Sequence, residues 1–149
     1  MSARDAAMIK AMLGHSASDG IDGDLADMQE ADVQNPFHPD IVVKEAAGLP
    51  YGGDWKGVEG LRELMTKMRS LTKLSPIDVE VFDGGDDYVI TRQTALMEDQ
   101  ESGATLRVPM VEVYRMVDGK IAEIDVFYKD TKAMVDFFEQ GGSASASAG

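Results

Sequence analysis

The stretch Val108–Tyr128, VPMVEVYRMVDGKIAEIDVFY, decides how this chain folds. It reads as two long strands, Leu106–Val117 and Lys120–Tyr128, joined at Asp118-Gly119. Asp-Gly between two apolar runs is a strong hairpin signal, because glycine takes a positive φ at no steric cost. Near the middle of the first strand stands Glu112, flanked by Met110, Val111, Val113 and Tyr114. A carboxylate in that setting either points to water or sits in an apolar cavity with a raised pKa. The second case makes it an acid and the protein an enzyme.

Upstream, Ile77, Val79 and Val81 alternate with Asp78 and Glu80, which predicts a half-buried strand from Pro76. Asp83-Gly84-Gly85-Asp86-Asp87 turns the chain into a strand over Tyr88–Met97, and Glu98–Ala104 forms the next turn. If Glu98 opposes Leu106 across that turn, Arg92 falls opposite Glu112. The region is thus expected to be a four-strand antiparallel meander. Before it, Val58, Leu61, Leu64, Met65, Met68 and Leu71 recur at helical spacing. Asp40–Glu45 reads as a strand, and Leu49–Trp55 (LPYGGDW) as a tight turn or loop. Short helices are expected over Asp5–Leu13 and around Leu25, Met28 and Val33, and a final one over Thr131–Gln140. One domain over residues 1–140 is expected. The remainder, Gly141–Gly149 (GGSASASAG), has no apolar anchor and reads as a disordered tail.

Composition narrows the function classes. The chain has 149 residues and a formal net charge of −13, which argues against nucleic acid or an anionic membrane as partner. It contains no cysteine and two histidines, so disulfides and thiolate catalysis are excluded and a dedicated transition-metal site is not expected. The GGD segments lack phosphate-loop or dinucleotide spacing. The N-terminus, MSARDAAMIKAML, has no long apolar run, so the expected location is cytoplasmic. Helices early and a meander late predict an α+β domain. Its antiparallel sheet is expected to curl, with helices on the concave face forming a cone around an apolar cavity.

Two segments carry a resemblance. HPDIVVKEAAGLPYGGDWKGVEGL (His38–Leu61) and VEVYRMVDGKIAEIDVFYKD (Val111–Asp130) resemble the SnoaL-like and ketosteroid-isomerase-like branch of the nuclear transport factor 2 superfamily. Its specific parts are LPYGG-x-x-x-G (Leu49–Gly57) and R-x-x-DGKI (Arg115–Ile121). The resemblance implies a cystatin-like cone of curved sheet closed by helices, often as a homodimer. It also implies a superfamily of cofactor-free isomerases, cyclases, dehydratases, lyases and epoxide hydrolases, with some pure binding modules.

The resemblance also assigns roles. The ketosteroid-isomerase base, a carboxylate near the end of the first strand, matches Glu45. The neutral acid of the oxyanion hole, on the strand before the last hairpin, matches Glu112. Both are Glu where those isomerases carry Asp, which moves each carboxyl outward by one methylene. The helix-one tyrosine has no counterpart, and His15, near its position, is the candidate proton donor in its place. Cyclase-like relatives put an acid–base Asp near the end of the last strand, which matches Asp130; that residue also suits the N-cap of the final helix. For substrate, Tyr128 matches a pocket aromatic with Ile124 and Val126 as its wall, Met110 adds flexible lining, Tyr51 and Trp55 stand at the glycine-rich turn, and Arg92 pairs Glu112.

The expected function is therefore a cofactor-independent, metal-free acid–base enzyme. It is an isomerase, cyclase or retro-aldol lyase acting on a hydrophobic aromatic or polycyclic small molecule. The alternatives are a non-catalytic module binding a small molecule or protein, and an epoxide hydrolase built on Glu112, Arg92 and Asp125.

Overall fold

The computed structural model describes residues 36–147 and Ile9, with side chains to residue 140. The expected early helices, Ile9 apart, and His15 lie outside the described residues.

Six strands form a single mixed sheet in the order β2-β1-β6-β5-β4-β3. They are β1 (Phe37–Glu45), β2 (Gly53–Lys56), β3 (Lys73–Asp83), β4 (Tyr88–Glu98), β5 (Thr105–Val117) and β6 (Lys120–Tyr128). Two helices complete the described chain: α1 (Gly57–Leu71) and α2 (Thr131–Ser147), the latter running past the expected end at Gln140. The meander β3–β6 is antiparallel throughout, as its sequence implies. Its last turn is the expected one. Asp118 and Gly119 both take positive φ, 52° and 75°, and close a two-residue loop between paired Val117 and Lys120.

Three expectations need correction. The sheet is not purely antiparallel, because β1 pairs β6 in parallel. The Gly-rich turn is shorter than expected, since Gly53–Lys56 pairs with Val42–Glu45 as strand β2. The largest difference is that the sheet is open and not strongly curled, so the cone and the α+β barrel are not formed. Among the described residues, β2 and β3 are its two edge strands. Strong curvature needs bulges or glycine kinks. The longest pairing, β4 with β5, has neither and stays in register over all 11 residues of β4.

Alternation gives the sheet two unlike faces. One face carries Val89, Thr91, Gln93, Ala95 and Met97 of β4, Met110, Tyr114 and Met116 of β5, and Ile124 and Val126 of β6, all buried. Leu61, Leu64 and Met68 of α1, Met134 of α2 and Ile9 join the same core. The opposite face carries Arg92, and Phe82, Tyr88 and Phe127 are exposed. Thr72, the C-cap of α1, ties the helix end to the sheet: its hydroxyl donates to the carbonyl of Glu98 at 2.9 Å.

Candidate functional site

The buried face carries its polar groups on adjacent rows. Pairing puts Thr91, Glu112 and Val126 side by side on β4, β5 and β6. The parallel register, with Val43 beside Ile124 and Lys44 beside Asp125, brings Glu45 of β1 next to Val126. Glu45 and Glu112 therefore stand two strands apart on one face, with Cα atoms about 10 Å apart at ordinary strand spacing. The next row holds Gln93, Met110 and Tyr128, and the row on the other side Tyr114 and Ile124.

Each glutamate is held by one carboxyl oxygen. The Tyr128 hydroxyl donates to Oε1 of Glu45 at 2.6 Å. Tyr128 and Tyr51 are joined hydroxyl to hydroxyl at 3.2 Å. Trp55 Nε1 donates to the Tyr51 carbonyl at 3.0 Å, and the Tyr51 ring packs edge-on against Phe138 of α2 at 5.8 Å. At the other glutamate, Oε1 of Glu112 accepts from the Tyr114 hydroxyl at 2.5 Å and from Gln93 Nε2 at 2.6 Å. Gln93 Nε2 also donates to the Thr91 hydroxyl at 3.0 Å.

Burial dominates both titrations. Loss of hydration pushes Glu45 up to about 8, against the pull of the Tyr128 hydrogen bond and with a further push from the charge of Glu112. Burial likewise raises Glu112, opposed by the donors Tyr114, Gln93 and Thr91. Tyr51, Tyr114 and Tyr128 are raised as well, by burial first and then by the neighbouring carboxylates, so they stay protonated as donors. Both glutamates keep part of their surface accessible. The arrangement offers two neighbouring carboxyls whose protons burial holds more tightly than in an ordinary glutamate, Glu45 exchanging its own near pH 8.

The loop between β1 and β2 sets this geometry, because it carries Tyr51 and follows Glu45 directly. Its backbone closes on itself, with Leu49 N–H donating to Ala46 O at 3.1 Å and Gly52 N–H to Leu49 O at 2.9 Å. A Cβ on Gly52 would collide with the carbonyl oxygen of Ala46 and lie 2.7 Å from that of Ala47. Gly52→Ala is therefore expected to destabilise the fold by about 2 kcal/mol or more, through backbone displacement. A urea melt checks this, and an unchanged midpoint would remove the loop from the account.

Other expected site residues lie elsewhere. Arg92 does not face Glu112. Glu98 pairs with Thr105, not Leu106, so Arg92 stands opposite Val111 and Thr91 opposite Glu112. A one-residue slip moves every side chain to the other face. Arg92 instead binds Glu80 Oε1 through Nε at 2.9 Å and Nη2 at 2.7 Å on the exposed face. Asp125 pairs Val113 on that face too, so the carboxylate–Arg–carboxylate set of an epoxide hydrolase is not assembled. Asp130 is exposed, and its Oδ1 accepts from Ala133 N–H at 3.0 Å, as an N-cap does. Ile124, Val126 and Met110 are buried on the same sheet face as the two glutamates. Tyr51, Trp55 and Tyr128 direct their polar atoms to one another and to Glu45. A groove of about 390 Å³ is lined by Arg92, Gln93, Met110, Val111, Phe127 and Tyr128, among others. Sequence reasoning passed over Thr91, Gln93 and the hydroxyl of Tyr114. Their signal was present: polar residues at alternate positions of a strand whose neighbours on that face are apolar.

Among the described residues no cluster of His, Asp and Glu could hold a metal ion, and no helix is long and apolar enough to cross a membrane. Comparison with known proteins gives a consistent picture of the fold. The family model of the SnoaL-like domain matches residues 22–124. No curated protein matches the chain significantly in sequence. Among solved structures, TerC co-crystallised with polyporic acid is similar over 91% of this chain and 98% of its own, at 22% identity and a TM-score of 0.70. Bal32a, from a soil-derived mobile gene cassette, is similar over 92% and 98%, at 18% identity and a TM-score of 0.73. A candidate polyketide cyclase from Xanthomonas campestris pv. campestris is similar over 91% and 96%, at 14% identity and a TM-score of 0.69. Likeness at these identities establishes the fold.

Proposed function

The chain belongs to the SnoaL-like domain family, and on that premise we propose that it is a cofactor-independent acid–base enzyme acting on a hydrophobic, aromatic or polycyclic small molecule. The fold is one that superfamily enzymes, cyclases and isomerases among them, use on small hydrophobic molecules. The observation that carries the proposal is the pair of desolvated glutamates on one sheet face, each held at a single oxygen by a tyrosine.

Glu45 is the base. Its pKa of about 8 makes it a stronger proton acceptor than an ordinary carboxylate, while a useful fraction remains ionised at neutral to mildly alkaline pH. It takes a proton from carbon or hydroxyl, and Tyr128 and Tyr51 hold it in place. Glu112 is the acid. In its neutral form it donates a hydrogen bond to the substrate oxygen on which negative charge develops. Isomerisation, aldol-type cyclisation and retro-aldol cleavage all need these two functions. The polyporic acid held by one relative of this fold supports a small-molecule ligand.

A homodimer is part of the same reading. The sheet face opposite the glutamates exposes Phe82, Tyr88 and Phe127, the last at 55%. Its charges include both signs, among them Arg92 with Glu80 and Arg115 with Glu123, so a second copy meets it without net repulsion there. Phe127→Asp is expected to convert a dimer into a monomer in light scattering. A wild type that is already monomeric at micromolar concentration rejects this part.

The enzymatic reading is tested by screening aromatic ketones and hydroxylated diaryl compounds for turnover by the wild type. Saturable binding with no turnover by any of them would favour a binding module.

A further inference from the structure

Glu112 accepts two strong hydrogen bonds on the same oxygen. Tyr114, two residues along β5, and Gln93, from β4, both donate to Oε1, at 2.5 and 2.6 Å. A neutral carboxyl has one carbonyl oxygen and one hydroxyl oxygen, and an oxygen that already accepts two donors is the carbonyl. The proton is thereby confined to Oε2. Gln93 is fixed in turn by its second hydrogen bond, to Thr91, and its residue is buried. Without Gln93, the carboxyl loses one of its two short hydrogen bonds at Oε1 and the Thr91 hydroxyl loses the donor that fixes it, so the carboxyl is freer to turn about its last side-chain bond and present either oxygen.

We propose that Gln93 is a positioning residue that, together with Tyr114, locks the neutral Glu112 carboxyl with its carbonyl at Oε1 and its acidic proton on Oε2. The inference deepens the function proposed above and rests on its assignment of Glu112 as the acid. Directional donation matters because the acid must aim one O–H at one developing oxyanion, and a carboxyl free to turn spends part of its time misaligned. Among the described residues, the titratable groups facing Glu112 are Tyr114 on its own strand, Tyr128 on β6 and Glu45 on β1. The groups facing it from β4, Thr91 and Gln93, are uncharged, and α1 and α2 meet this face with Leu61, Leu64, Met68 and Met134. Gln93 is thus a neighbour on β4 that donates to Oε1 of the acid without titrating.

The infrared C=O stretch of the protonated Glu112 carboxyl provides the test, assigned by its disappearance in Glu112→Gln. It needs no substrate, so its outcome is independent of whether the enzyme reading is right. Removing a donor from a carbonyl oxygen moves this band to higher frequency. Gln93→Leu is expected to shift it up and broaden it. Gln93→Glu, close to isosteric, keeps the fold testable should the leucine variant fail to fold. Its new carboxyl donates while protonated and stops when ionised, so the Glu112 band is expected to become pH-dependent where the wild-type band is constant. Once a turned-over compound is known, both variants are expected to lose about tenfold in kcat with little change in KM. A Glu112 band at the wild-type position in every folded variant, at all pH values, overturns the proposal even if Glu45 and Glu112 prove catalytic. Conversely, a shifted band in an enzyme indifferent to Glu112→Gln would leave Gln93 as the lock of a carboxyl that is not the acid.

Discussion

Glu45→Gln is expected to raise the stability of the protein above pH 8 while leaving it nearly unchanged at pH 5. The sign follows from proton linkage. Glu45 titrates near 4.5 in the unfolded chain and near 8 when folded. Between those values the unfolded state has lost its proton and the folded state keeps it, so stability falls as pH rises. Above about 8 both states are ionised and the loss is complete. At ~1.4 kcal/mol per pH unit, the full effect is about 5 kcal/mol. Glutamine has no charge to bury and still accepts from Tyr128, so it escapes that loss, less the cost of seating an amide N–H₂ in the same place. Part of the slope will persist in the variant, because Glu112 is raised by burial in the same direction. Urea denaturation of both proteins at pH 5, 7 and 9 measures the effect. Parallel stability curves for wild type and variant would mean that the carboxyl at position 45 is hydrated in the folded state.

The second large effect is on turnover. Glu45→Gln removes the base and is expected to lower kcat by about 10²–10⁴, the usual contribution of a positioned proton acceptor. Glu112→Gln retains a hydrogen-bond donor of similar size but a far weaker acid, and a loss of about 10²-fold or more is expected. The two variants should depend on pH differently. Wild-type kcat/KM should rise with pH as Glu45 ionises and level off above about 8. Glu112→Gln should keep that rise at a lower level, whereas Glu45→Gln should lose it. Full activity in both variants, on a compound the wild type turns over, would dismiss the assignment.

Much of this was legible in the chain, and the failures have physical causes. The Asp118-Gly119 hairpin could be read because an Asp-Gly pair between apolar runs favours one turn geometry, and both residues adopt it. The strand pattern left Glu112 between water and an apolar cavity, and the resemblance, not the pattern, favoured the cavity. The partner of Glu112 could not be read, since it depended on register. The loop after β4 is tied by Asp99, whose backbone pairs with Ala104 and Gly103 and whose carboxylate accepts from Ser102. That turn places Glu98 opposite Thr105, and the one-residue difference exchanges Arg92 for Thr91 and brings in Gln93. The parallel pairing of β1 with β6 was also out of reach. It joins residues 81 positions apart, such as Lys44 and Asp125, and no local pattern records such a contact. The curled cone was inferred from strand length and from the resemblance; register shifts interrupt β1–β6, β3–β4 and β5–β6, but the long central pairing β4–β5 has none and the sheet stays open. Asp130 illustrates a residue type that suits two roles, acid and helix cap. Only the position of Ala133 N–H identifies the cap.

Carbon-13 NMR of the glutamate side-chain carboxyls, followed from pH 4 to 10 and assigned with Glu45→Gln and Glu112→Gln, bears on the whole account most directly. The expected result is one carboxyl titrating near 8, lost in Glu45→Gln, and a second, lost in Glu112→Gln, still protonated well above the ordinary carboxylate range. Both resonances titrating between about 4 and 5, as hydrated glutamates do, would contradict it.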